Sequence, residues 1–440
     1  MMSAETIILL LFVGLFIGIF SGFPTAFVLG GLSLIFGLIF IGPDVLGFFI
    51  VRLEGVAQNY TLLAVPLFLF MGVFMEKSGV AQRLFSALYI WCGSLKGGLG
   101  VSTIVMAMLF AATTGIVGAS EVTIGLIALP AMLAKKYDKA MACGCICAGG
   151  TLGILIPPSV MIIIYGPIAG ISVGKLFMAC YLPGIMLGFL YIAYIVIRCY
   201  FRPQDGPPIT KEENILPWKE KVTILLTSIV PIALVIFAVL GCILFGVASV
   251  TEAGAVGAIA SMVLAAFYGN ISWGLIREAC IQTLKITSMI MLIAIVASYF
   301  SAVFVALKGD EVIINIFQTL PLGKWGILLA IMILLIILGA LIDWMSILFI
   351  VIPIITPLAP LFGFDPLWFA GMVIVNLQIS FLSPPFAYSI FYLRGIAPPE
   401  VLTTDIYRGV VPFVGLQMIG LALCAIFPQI LTYLPSLMGK

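Results

Sequence analysis

Two proline pairs, Pro157-Pro158 and Pro384-Pro385, each interrupt a long apolar segment, and they stand 227 residues apart. A proline pair removes two backbone donors and pushes the preceding residue out of the helical region. The flanks match as well. Residues 149–159 read Gly-Gly-Thr-Leu-Gly-Ile-Leu-Ile-Pro-Pro-Ser, and residues 376–386 read Asn-Leu-Gln-Ile-Ser-Phe-Leu-Ser-Pro-Pro-Phe. Interrupted apolar segments in matching positions of two halves point to the binding site of a membrane carrier.

The surroundings of these breaks are a bilayer. Of 440 residues, 63% are hydrophobic and only 9% charged, against roughly 25% charged in soluble domains. The fold class expected is an all-α polytopic membrane protein. A net charge of +2 gives no footing for nucleic acid, and the absence of histidine excludes Ser–His catalysis and His metal sites. The cysteines read as small buried apolar residues. Residues 1–20 lack a basic leading region and a cleavage site, so they read as a first span.

The 227-residue offset extends beyond the prolines: Tyr137-Asp138 falls on Phe364-Asp365, Pro130 on Pro357, Tyr165 on Tyr392, and 25–30 on 252–257. The expected organisation is a first repeat over 1–200, a polar linker over 201–227 and a second repeat over 228–440. Each repeat holds about five spans, an amphipathic stretch (79–95, 309–320), a re-entrant hairpin (98–134, 325–360) and a broken helix (140–170, 366–396). Spans are expected near 5–21, 24–42, 59–76 and 176–200, then near 228–247, 250–268, 286–305 and 408–430. Lys135, Lys136 and Lys139 follow the first hairpin, whereas 362–366 has no Lys or Arg; the end of the first half carries Arg198, Arg202, Lys211, Lys219 and Lys221, whereas only Lys440 follows Arg408 at the end of the second. Basic loops mark the cytoplasmic side, so the repeats are expected to be inverted, with the linker cytoplasmic and both termini outside.

Broken backbone at membrane depth is tolerated where it lines a cavity. Its freed carbonyls, with nearby hydroxyls, are hard ligands suited to Na⁺. Two pseudo-symmetric sodium sites are therefore expected, each between a hairpin tip and its own break. The first draws on Thr113, Thr114, Gly115, Gly118, Ser120 and Thr151, the second on Gly339, Asp343, Ser346, Asn376, Gln378 and Ser380. The half-helix after each break aims its positive end back at it. An anionic substrate is expected between the sites, near Pro158, Ser159, Ser383 and Pro385, with Arg394 available to a carboxylate. Simpler roles compete. Ser and Thr bond their own helix backbone; Asp343 and Glu252 stand where helix caps stand; Arg52 and Arg394 suit the interface. Glu121, one residue past the first tip, is an intramembrane acid.

The run 149–159, followed by Ile-Ser-Val-Gly-Lys-Leu-Phe at 171–177, resembles the large membrane subunit of tripartite ATP-independent periplasmic (TRAP) transporters. So do Thr-Glu-Ala-Gly-Ala-Val-Gly at 251–257 and Asp-Ile-Tyr-Arg-Gly at 405–409. The length resembles the unfused form. The resemblance implies an inner-membrane secondary transporter rather than an enzyme, with Na⁺ as coupling ion and no other cofactor. It implies uptake of an organic acid anion of the C4-dicarboxylate or sialic acid class, delivered by a periplasmic substrate-binding protein. A small four-span membrane subunit completes the complex in the lipid bilayer. The motion implied is an elevator, with 79–95 and 309–320 as arms. Trp344 departs from the smaller residues or proline usual at that tip. A stand-alone carrier of the same architecture, or a channel, is the alternative. An intramembrane aspartyl protease built on Asp138 and Asp343 is disfavoured, because Asp138 lies in a lysine-rich loop.

Overall fold

The computed structural model describes residues 2–115, 117–208, 217–385 and 387–438. Linker residues 209–216 with Lys211, Ile116 of the first tip, Phe386 of the second break, and Lys440 lie outside them. The chain is all-α, and among the described residues nine helices are long and apolar enough to cross a membrane.

The first half runs α1 (Ala4–Phe20), α2 (Thr25–Phe40), α3 (Val45–Ala57), α4 (Ala64–Lys77), α5 (Val80–Cys92), α6 (Gly98–Thr114), α7 (Val117–Ala134), α8 (Lys139–Thr151), α9 (Val160–Ala169) and α10 (Val173–Phe201). The second runs α11 (Trp218–Leu244), α12 (Val250–Phe267), α13 (Trp273–Ala306), α14 (Gly309–Thr319), α15 (Lys324–Leu341), α16 (Trp344–Leu361), α17 (Pro366–Leu382), α18 (Tyr388–Ile396), α19 (Thr403–Ile426) and α20 (Gln429–Leu437). Adding 227 to the bounds of α6 to α9 reproduces those of α15 to α18 to within a few residues. Both proline pairs are cis. Equivalent residues also do equivalent work. Asp138 caps α8 through the Met141 amide at 2.8 Å, and Asp365 caps α17 through the Trp368 amide at 2.7 Å, each satisfying a donor that a helix start leaves open.

Four elements differ from the sequence expectation, the shortest being α20, which follows the last expected span. Helix α3 was not foreseen, because Arg52 and Glu54 interrupt its apolar run. Asn59 then ends it by accepting from the Thr61 amide at 3.1 Å and opening a 3-10 turn over Tyr60–Leu63. Helix α13 starts at Trp273 rather than near 286 and is unbroken for 34 residues. Its polar start, Arg277, Glu278, Gln282 and Lys285, disguises it, yet Lys77 Nζ meets Glu278 Oε1 at 2.6 Å, matching this end to the polar end of α4. Helix α11 starts at Trp218, so linker residues 218–227 are helical; Trp218, Lys219, Glu220 and Lys221 are polar in pattern but compatible with a helix.

Small residues bring the halves together. Gly144 of α8 meets the Gly409 carbonyl of α19, and Gly409 in turn meets the Ala140 carbonyl. Gly254 of α12 lies against Leu67 and Phe68 of α4, where a Cβ would approach to 3.1 Å. Close backbone approach through glycine is how helices associate without a hydrophobic drive from lipid. Helices α8 and α17 are buried along most of their length. By contrast α1, α2 and α11 expose apolar side chains such as Ile17, Phe27 and Phe237.

Candidate transport site

The first hairpin turns at Gly115, whose φ of +63° is left-handed and favours glycine. That turn seats directly on the first break. Val160 N donates to the Gly115 carbonyl at 3.4 Å, and a Cβ at Gly115 would stand 3.1 Å from the Pro158 oxygen. The expected pairing of a tip with its own break is present here as main-chain contact. The Thr113 and Thr114 hydroxyls both donate to the Phe110 carbonyl, at 2.7 and 3.1 Å, and Thr114 shares a 2.5 Å hydrogen bond with Ser120. All three residues are buried. Their hydroxyls retain oxygen lone pairs after donating, so they suit a cation. Ser159 donates to the Ile154 carbonyl at 2.6 Å and is buried at the start of α9.

At the second tip Asp343 caps the start of α16, accepting from the Ser346 amide at 3.1 Å and from the Ser346 hydroxyl. The capping role does not exhaust it, because Thr25 Oγ1 also reaches Asp343 Oδ1 at 3.4 Å. Gly339 packs against Ser380 of α17 so closely that a Cβ would overlap the Ser380 side chain. Beside them lies a cavity of about 10 Å³ lined by Gly339, Trp344, Ile347, Ser380, Phe381 and Tyr388, room for about one water-sized guest. The Ser380 hydroxyl is buried without a hydrogen-bond partner. One turn back, Asn376 donates to the Met332 carbonyl at 2.9 Å while its own carbonyl oxygen is unpartnered.

Several expected ligands lie elsewhere. Thr151 turns from the first tip toward α19: it donates to the Ala148 carbonyl at 2.9 Å and receives Gln417 Nε2 at 3.4 Å. Gln378 is buried and unpartnered, but it stands about 200° around α17 from Asn376 and Ser380, so the three do not converge. Gly118 faces the Tyr392 ring, 2.7 Å from where a Cβ would be. Ser383 bonds the Ile379 carbonyl at 2.8 Å, and Pro385 is exposed. Arg394 is exposed and donates to the Val401 carbonyl at 2.6 Å, away from the central cavity. Glu252 closes a capping box with Ser249, 2.7 Å from its amide. Arg52 lines a separate cavity of about 430 Å³ with Asn59, Ser298 and Ser301.

The two tips face a shared cavity of about 710 Å³. Its walls come from the first tip (Val117, Gly118, Val122), the second tip (Asp343, Trp344, Met345), α18 (Tyr388, Tyr392), and α2, α4 and α13 (Thr25, Glu76, Gln282). The sequence pattern did not point to Glu76, Gln282, Thr25 or Tyr388; Glu76 reads as the polar end of a span, and only the Tyr165–Tyr392 repeat pair marked Tyr392. Among the described lining residues the charged groups are the carboxyls of Glu76 and Asp343, with no Lys or Arg.

The profile of the family described as tripartite ATP-independent periplasmic transporter, DctM component, matches residues 12–430. The C4-dicarboxylate TRAP transporter large permease protein DctM of Pseudomonas aeruginosa is 32% identical over 93% of this chain and 94% of its own. The sialic acid TRAP transporter large permease protein SiaM of Vibrio cholerae is 30% identical over 95% of this chain and 96% of its own. Among solved structures, the Alcanivorax borkumensis YdaH transporter aligns with a TM-score of 0.58 over 92% of this chain and 89% of its own at 16% identity, a likeness of fold.

Proposed function

The chain belongs to the DctM component family of tripartite ATP-independent periplasmic transporters, and from that premise we propose that it takes up a small organic acid anion, driven by a sodium gradient. The substrate class is C4-dicarboxylate or sialic acid, the substrates in the names of its relatives. The observation that carries the reading is the pair of hairpin tips, each against its own break, facing one cavity of about 710 Å³, within the range of small-molecule sites.

The charges of that cavity supply a reason for coupling. An anion entering it meets Asp343 and Glu76. Two like charges about 5 Å apart at an effective dielectric near 20 repel by about 3 kcal/mol, roughly a hundredfold in affinity. Cations at the tips offset that repulsion, so sodium binds first and the anion follows. The tips hold the ions through Thr113, Thr114 and Ser120 on one side and Asp343, Ser346, Asn376 and Ser380 on the other. No ion is assigned to Thr151 or Gln378.

The two halves are inverted in the membrane. The polar ends of α4 and α7 and the start of α5, with Lys77, Lys135, Lys136 and Arg83, then lie in the cytoplasm with the linker, and both termini are periplasmic. Pro24–Phe27, Glu76 and Gln282, at that same cytoplasmic end, line the central cavity, which supports an inward-facing state. Transport moves α6–α10 and α15–α19 as an elevator past α2, α4, α12 and α13, with α5 and α14 as arms. A small four-span membrane subunit and a periplasmic binding protein complete the system.

The test is reconstitution with both partner proteins in liposomes and a screen of organic acids. Uptake that rises with an inward sodium gradient is expected. Uptake that is equal with and without sodium overturns the coupling.

A further inference from the structure

Glu121 of α7 is fully buried, and neither carboxylate oxygen has a hydrogen-bond partner. Its polar neighbours are Cys147 of α8 and Ser389 of α18. The Cys147 thiol is directed to the Ser389 carbonyl at 3.8 Å, and the Ser389 hydroxyl, also fully buried, has no partner of its own. Gly150 lets α8 approach this point, since a Cβ there would stand 3.0 Å from Glu121 Cβ. Tyr392 of α18 lies within electrostatic reach of the carboxylate. Among the described ion pairs none includes Glu121.

A bare carboxylate in an apolar interior costs several kcal/mol and is neutralised either by holding a proton or by a cation beside it. Among the described residues no Lys or Arg pairs with it, and three hard oxygens, two carboxylate and one hydroxyl, lie close together without a hydrogen bond of good geometry, the Ser389 hydroxyl being near enough to turn toward the carboxylate. We propose that Glu121 and Ser389 hold a sodium-sized monovalent cation, in a site separate from the two at the tips. One negative charge matches one monovalent ion, and oxygen donors suit a hard cation. The site lies between α7 and α8 of the first half and α18 of the second, so the ion ties the first hairpin to the half-helix that follows the second break. The Tyr392 ring packs on Gly118 and lines the central cavity. The site itself stands on its geometry; only its part in transport rests on the reading above.

The experiment is equilibrium binding of radiolabelled sodium to the purified full-length chain in lipid nanodiscs. The wild-type chain is expected to bind one ion more than Glu121→Gln, and Ser389→Ala to weaken that ion by about tenfold, near 1.4 kcal/mol. Equal stoichiometry and affinity in wild type and Glu121→Gln overturn the proposal. Infrared spectroscopy of the wild-type chain decides if the variant misfolds. A carboxylate band that shifts on adding sodium supports the site, and a buried carboxyl that stays protonated in saturating sodium overturns it. Loss of one ion in Glu121→Gln from a chain that moves no organic acid keeps the site and rejects the transport reading. Sodium-driven uptake with an unchanged ion count does the reverse.

Discussion

Thr25 Oγ1 donates to Asp343 Oδ1 across 3.4 Å, joining the first turn of α2 to the second hairpin tip over a separation of 318 residues. If the hairpin moves relative to α2, this bond has to break. Thr25 also lines the central cavity. A hydrogen bond to a charged group contributes about 1.5–3 kcal/mol at best, and this long one belongs at the low end. Thr25→Val is therefore expected to move the balance between inward and outward states several-fold away from the state described, with sodium affinity little changed. Distances between labels on α2 and α16, measured by single-molecule fluorescence, check it.

Gly339 and Ser380 share space that a methyl group would fill. Overpacking of this kind costs about 1–3 kcal/mol. Gly339→Ala is expected to lower sodium affinity about tenfold or more. Adding Ser380→Gly, which removes both the hydroxyl and the Cβ that oppose the new methyl, should recover the stability lost but not the affinity, because the hydroxyl removed is the proposed ligand. Thermal unfolding and sodium titration of the two variants separate these effects.

Gly72 of α4 faces the first tip, where a Cβ would lie 2.9 Å from Thr114 Cα. The atoms opposing it are backbone, so they yield only if the whole tip shifts. Gly72→Ala is expected to reduce uptake by at least tenfold while the chain still reaches the membrane in normal amount. Unaltered uptake would mean that the tip moves freely past α4.

Arg198 holds the segment after α10 against the base of the first hairpin. Its Nη2 meets Asp138 Oδ1 at 3.0 Å and its Nε meets Asp205 Oδ2 at 2.8 Å. The Asp138 amide also donates to the Asp205 carbonyl at 3.0 Å. Because these groups are part-exposed, the pairs are discounted from buried values to about 1–2 kcal/mol. Arg198→Ala is expected to lower the midpoint of thermal unfolding by a few degrees and leave the sodium dependence of uptake unchanged. Thermal unfolding monitored in detergent, with uptake in parallel, tests both halves of this expectation.

The proline pairs, the 227-residue spacing and the hairpin bounds are written in local chemistry, and so they could be read from the chain: proline removes donors, glycine turns a tip, and aspartate caps α8 and α17. Which way a side chain points could not. In a soluble helix the apolar stripe marks the inner face, but here lipid and protein interior are equally apolar. Phe267 is 84% exposed while Phe304 is 1% exposed, and nothing in their types separates them. The same loss of contrast hid the turning of Thr151 toward Gln417, the divergence of Gln378 from Asn376, and the position of Glu76 at the cavity. Arg394 was chosen for its charge, yet its location depends on the fold of the 397–402 turn, which no local pattern announces.

The unbroken 34-residue α13 corresponds, at the repeat spacing, to α3, the turn at Asn59 and α4. One half thus offers a stiff mast and the other a jointed one. A carrier of interchangeable halves would meet equal resistance at either end of its travel. Under the proposed elevator motion the two end-stops are therefore expected to differ in compliance, which would give the unloaded protein a resting preference for one side of the membrane before any ligand arrives.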